Sequence, residues 1–177
     1  MENTEIEKKS SSKISLQYGI ILGIVSVLIS VAVYAMGMQY EQDWKMGSIG
    51  IIAMIAIIFV GIKKYKEFNG GYLTVGQAIK TGIGIALIGG IISVIYSYIF
   101  MTIIEPDFMV NTMEKAQEKM MEQNPNLTDE QVEQATAMMS KFSSPAITSA
   151  FSLIGSLFFG FIISLISGFI LKNDPNK

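Results

Sequence analysis

Apolar and polar positions in this chain are segregated into long blocks. Four windows without a charged residue, at 14–40, 46–62, 81–104 and 142–171, alternate with stretches rich in Lys, Glu, Asn and Gly. A helix needs about 20 predominantly apolar residues, within a range of roughly 17–25, to cross a bilayer. All four windows reach that, the second only at the lower limit. The pattern predicts an all-α membrane protein with four transmembrane helices, over about 15–38, 46–62, 75–104 and 146–171. An N-terminal tail (1–13), an extracytoplasmic helical hairpin (105–145) and a C-terminal tail (172–177) complete the chain. The first apolar run is far longer than the roughly 7–15 residues of a signal-peptide core. It is read as a retained span.

Charge sets the orientation. With four spans, the two tails and the 63–80 loop share one side and carry nine Lys and five acids; the 41–45 and 105–141 loops carry four Lys and ten acids. Short loops rich in Lys stay in the cytoplasm, so both termini are expected there. Tyr18, Tyr34, Tyr40, Trp44, Tyr65 and Tyr72 fall near span ends, as in an interfacial aromatic belt. Tyr96 and Tyr98 lie deeper and read as packing residues.

Composition removes whole classes of chemistry. There is no Cys and no His, which leaves no thiolate zinc site, His-ligated haem, disulfide or His-based triad. All 13 basic residues are Lys, whereas bidentate phosphate recognition favours Arg. No basic patch with interleaved aromatics is present, so nucleic acid is not expected as a partner. No Asp, Glu, Lys or Arg lies in the interior of any span, and Lys80, one to two turns into the third helix, can snorkel to the headgroups; an intramembrane charge would be the usual mark of a coupled transporter or voltage sensor. An enzyme is not expected, and neither is a cofactor or a metal.

The stretch NGGYLTVGQAIKTGIGIALIGG, Asn69 to Gly90, resembles a phosphate loop at first glance. In that motif Lys directly follows the second Gly; here Gln77 follows Gly76, and Lys80 comes three residues late. Leu87 stands where a dinucleotide fingerprint needs its third Gly. No nucleotide is expected. Thr74 and Gln77 have the spacing of a capping box, which predicts a helix from Val75 to Ile104, roughly 45 Å long.

The remaining small residues suit helix packing. Ala78, Gly82, Ala86 and Gly90 recur every four residues, as do Thr148, Ser152, Ser156, Gly160, Ser164 and Gly168. Such faces let backbones approach closely in lipid. In the first span Gly19, Gly23, Ser26, Ser30 and Gly37 fit a heptad seam. Ser93, Ser97 and Thr102 either line a polar path or bond back to helix carbonyls.

Within the hairpin, Met109, Met113, Ala116 and Met120 form one apolar stripe and Val132, Ala135, Met139 and Phe142 another. The NPN break at 124–126 separates them, and Thr128 with Gln131 offers a second capping box. Six of the twelve Met lie here. Met121 and Met138 fall off the stripes and are candidate partner contacts, since Met suits adaptable surfaces.

GIKKYKEFNGGYLTVGQAIKTGIGIAL, EPDFM, the MMSKF…SP segment and GFIISLISGFIL together resemble the bacterial domain-of-unknown-function family numbered 4199. That family consists of small four-span proteins found mainly in Bacteroidota. The resemblance implies an inner-membrane protein with its acidic hairpin in the periplasm, and it brings no activity and no catalytic residues. The reading is therefore a non-enzymatic scaffold or accessory subunit in the lipid bilayer, contacting a protein partner or a second copy. The alternative is a small oligomeric channel or transporter with a Ser/Thr-lined path.

Overall fold

The computed structural model describes residues 2–41 and 44–173; the side chains of 2–10, 44–46 and 129 are outside that description. The side chains of Trp44 as a belt residue and of Lys8, Lys9 and Lys45 as orientation charges, and the tail beyond Asn173, therefore lie outside that description. The described chain is helical: α1 (Glu2–Ala35), α2 (Trp44–Phe68), α3 (Val75–Ile99) followed by a π-helical turn (Phe100–Ile104), α4 (Phe108–Gln123), α5 (Asp129–Phe142) and α6 (Pro145–Leu171). Four of these, over Ser11–Ala35, Gly47–Phe68, Val75–Ile104 and Pro145–Leu171, are long and apolar enough to cross a membrane.

Local chemistry sets most boundaries. Thr74 accepts from the Gln77 amide while the Gln77 side chain accepts from the Thr74 N–H, closing a capping box on α3. Thr128 and Gln131 do the same for α5. Ser144 caps α6, with Pro145 in its first turn, where a missing N–H costs nothing. Three ends depart from the sequence reading. The first helix already runs from Glu2 through the expected tail, and it stops at Ala35 rather than near 38. Gly37, at φ 69, turns the chain there, so it is a terminator and not a member of a packing seam. The second helix continues through the Lys-rich 63–68 stretch and ends at Gly70 and Gly71, both at positive φ. These glycines supply a turn that L side chains rarely adopt.

The third helix is the hub. It packs along α1 on one side and α6 on the other and also touches α2, while α1 and α6 make no extended contact. Both ends of the described chain lie at the same end of the bundle. Leu73 and Asn173 exchange backbone hydrogen bonds there, each 2.9 Å, and the Lys66 ammonium donates to the Leu171 carbonyl at 2.9 Å. The hairpin emerges from the opposite end.

The dense core sits toward the terminal end. Ile58, Ile62, Leu73 and Ile85 are fully buried, and so is Tyr65. Tyr65 is thus a core residue and not part of an aromatic belt. Outward faces carry exposed Ile24, Leu28, Ile52, Ile95, Phe158 and Ile170, a ring of large apolar side chains that a bilayer would solvate.

Candidate functional site

The α3–α6 interface is built from four matched pairs. A Cβ added at Gly168 would lie 3.0 Å from the Ala78 Cβ, one at Gly82 2.7 Å from the Ser164 Cβ, and one at Gly90 3.3 Å from the Ser156 Cβ. A Cβ at Gly160 would collide with that of Ala86. The two residue numbers in every pair have the same sum, as antiparallel helices in a single register require. Each pair contains one Gly and one residue with a Cβ, and the Gly alternates between the helices. Ser156 also donates to the Ala86 carbonyl at 3.1 Å, and Ser164 donates to the Gly160 carbonyl. The seam stops at Gly90 and Ser156. Ser152 lies exposed beyond it, its hydroxyl turned back to the Thr148 carbonyl at 2.9 Å, because α3 presents larger side chains from there on.

The α1–α3 interface uses interlocking of another kind. Gly19 and Gly23 receive Ile88 and Ile92, and Gly84 and Gly89 receive Ser15 and Leu22. Farther along the expected seam, the Ser30 hydroxyl donates back to the Ser26 carbonyl at 3.0 Å. Near the terminal end Ser11 shares a 3.2 Å hydrogen bond with Thr81, and Ser15 donates to the Thr81 carbonyl at 3.1 Å, all three residues being buried. The sequence reading assigned none of these three to helix packing.

At the hairpin end the helices part. One cavity of about 330 Å³ is walled by Ile29, Val33, Tyr34, Tyr96, Phe100 and Met101, with Gln39, Ser97, Ser149 and Ser152 among its polar lining. A second, of about 510 Å³, lies among all four long helices and shares Ser97 and Ser152 with the first. Below both, Ile58, Ile62, Thr81 and Ile85 are fully buried, so the space is blind toward the terminal end. Ser93 and Thr102, candidates for a path, donate back to the Gly89 and Tyr98 carbonyls.

The π turn positions Glu105. Its amide donates to the Phe100 carbonyl at 2.8 Å, five residues back, and such turns recur at functional sites. The Glu105 carboxylate accepts from Tyr34 at 3.1 Å and from Tyr40 at 2.8 Å, and Asn111 donates to the Tyr40 oxygen at 2.9 Å. Phe108 stacks on Tyr40 and meets Phe100 edge-on. This cluster fastens the first turn of α4 to α1 and the end of α3. Sequence reasoning placed Glu105 only at the start of a loop.

In the hairpin Gln117 donates to Thr136 at 2.6 Å, joining α4 to α5. Met109, Met113, Ala116, Met120, Val132 and Ala135 are half-buried. Met139 and Phe142 are exposed, which shortens the expected α5 stripe, because Thr136 takes the inward position. Met121 and Met138 are 48% and 68% exposed. The Lys115 ammonium, held by Glu118 at 2.8 Å, has its pKa raised by that hydrogen bond and charge; both groups are exposed, and such pairs add little to stability.

Four apolar spans around a glycine-lined hub, with outward faces of Ile, Leu and Phe, define a multi-pass membrane protein. The chain belongs to the family described as Protein of unknown function (DUF4199), whose model matches residues 17–173. No curated protein and no solved structure matches it.

Proposed function

We propose that the protein is a non-enzymatic scaffold or accessory subunit of a bacterial inner membrane. Its termini lie in the cytoplasm and its acidic hairpin in the periplasm. The Lys excess at the terminal end and the acid excess at the hairpin end support that orientation. One observation carries the functional reading: Met121 and Met138 stand on the hairpin with thioethers open to solvent, 48% and 68% exposed, while Met109, Met113 and Met120 of the same hairpin are half-buried. Exposed Met suits a contact with a protein partner or a second copy. Changing both to Glu should remove co-purifying proteins or lower the oligomer order in mild detergent, with the thermal stability of the monomer unchanged. Unaltered association would refute the contact.

A second reading, a channel or transporter, draws on the shared Ser97 and Ser152 lining of the two cavities. Ile58, Ile62, Thr81 and Ile85, fully buried below both cavities, support a path formed between copies over one through a single protomer. Solute flux into liposomes holding the pure protein would favour it.

A further inference from the structure

The cavity between α1, α3 and α6 holds polar groups that packing leaves unanswered. Ser149 is more than nine-tenths buried, and its hydroxyl has no hydrogen-bond partner among the described residues. The Gln39 side-chain carbonyl is likewise buried and unpartnered. Both line the same cavity, whose other walls are mostly apolar and aromatic. Buried polar groups are almost always satisfied, and the exceptions call for a missing partner.

We propose that this cleft binds the hydroxyl-bearing head of a neutral single-chain lipid, a monoacylglycerol-type amphiphile entering from the bilayer between α1 and α6. Three features select that chemistry. Among the described residues no charged side chain lines the cavity, so a charged headgroup would be buried there without compensation. A hydroxyl both donates and accepts, and therefore answers the Gln39 carbonyl and the Ser149 hydroxyl together. The volume of about 330 Å³ lies at the small end of ligand sites, roughly 300–1,000 Å³. That suits a glyceryl head with the start of one chain better than a two-chain lipid. Because α1 and α6 make no extended contact, the chain has a lateral exit. Tyr34, a wall residue, already gives its phenol to Glu105, which occupies that carboxylate outside the cavity lining.

The test uses the full chain in nanodiscs and a monoacylglycerol carrying a photoreactive diazirine. Labelling should saturate, yield to unlabelled monoacylglycerol, and map to residues 96–101 or 148–152. Ser149→Ala with Gln39→Leu should raise the half-saturating concentration on the order of ten-fold, the effect of two neutral hydrogen bonds. Ser152→Trp, an exposed position at the mouth, should block labelling without disturbing the core. The matching fatty acid and lysophosphatidylcholine probes should label at least roughly ten-fold more weakly, as burying their charge demands. Non-saturable labelling, equal labelling by the charged probes, or undiminished labelling of Ser152→Trp would each overturn the proposal and leave the cleft to water.

Discussion

Replacing Gly82 by Ala tests whether the α3–α6 seam is as tight as its geometry implies. The added Cβ would stand 2.7 Å from the Ser164 Cβ and 3.1 Å from a methyl of Ile58. Carbon atoms in good contact are about 3.5–4.0 Å apart, so the helices must separate locally by roughly 1 Å. Neither Cβ has a rotamer to retreat into. Overpacking of this kind costs about 1–3 kcal/mol, against a helix-propensity gain of up to about 1 kcal/mol for Gly→Ala. Subtracting the full propensity gain leaves a net destabilisation of up to about 2 kcal/mol. Gly155→Ala is the control: it lies on α6 with nothing within 4 Å of an added Cβ, and it should be neutral or up to about 1 kcal/mol stabilising. The double variant Gly82→Ala with Ser164→Gly moves the Cβ across the seam and should recover most of the loss. Reversible unfolding in detergent, titrated with SDS, measures all three. If the Gly82 and Gly155 variants agree within about 0.5 kcal/mol, the size of an unremarkable surface substitution, the seam does not carry the packing assigned to it.

Three further outcomes follow from other parts of the molecule. Because the chain has no Cys, Ser143→Cys should react with a membrane-impermeant maleimide on spheroplasts while Asn69→Cys should not; the reverse pattern would invert the proposed orientation. Tyr40→Phe removes one hydrogen bond to the Glu105 carboxylate and the Asn111 contact. Hydrogen bonds to charged groups contribute about 1.5–3 kcal/mol, less where the site is partly exposed, so amides of 108–113 should exchange several-fold faster while those of 82–90 do not change. Equal exchange in both segments would remove the cluster as the anchor of α4. Fast, unprotected exchange across the whole of 107–142 in the native protein would contradict the hairpin itself.

What the sequence makes legible is local or periodic. The Thr74–Gln77 and Thr128–Gln131 boxes are complete within four residues, so both partners appear in one reading. The four-residue stripes on α3 and α6 stand out because lipid offers no hydrophobic force between helices and small residues are the remaining device. Relations between distant segments leave no such mark. Glu105 looks like the first loop residue until the π turn aims it at Tyr34 and Tyr40, each more than sixty positions away. Gly37 matches a heptad position yet ends the helix, since spacing alone does not distinguish a packing glycine from one at positive φ. Tyr65 resembles an interfacial aromatic, and only packing among helices distant in sequence buries it.

The alternation of Gly and Cβ along the seam acts as a key with a coarse pitch. Small residues every four positions would by themselves let α6 slide along α3 in steps of about 6 Å, each step again placing small against small. A slip of one such step toward lower numbers on α6, however, sets Ala78 on Ser164 and Ala86 on Ser156, two collisions, and Gly82 on Gly160, a void. The next register that restores most of the matches lies eight residues away, about 12 Å, and even there Ala86 meets Ser152. The Leu73–Asn173 exchange continues the native register beyond the last Gly, so any such slip also unties the chain's end from the α2–α3 turn. A face that looks repetitive in one helix thus admits one alignment in the pair, and α6 is held against piston motion by a seam that contains no charged side chain.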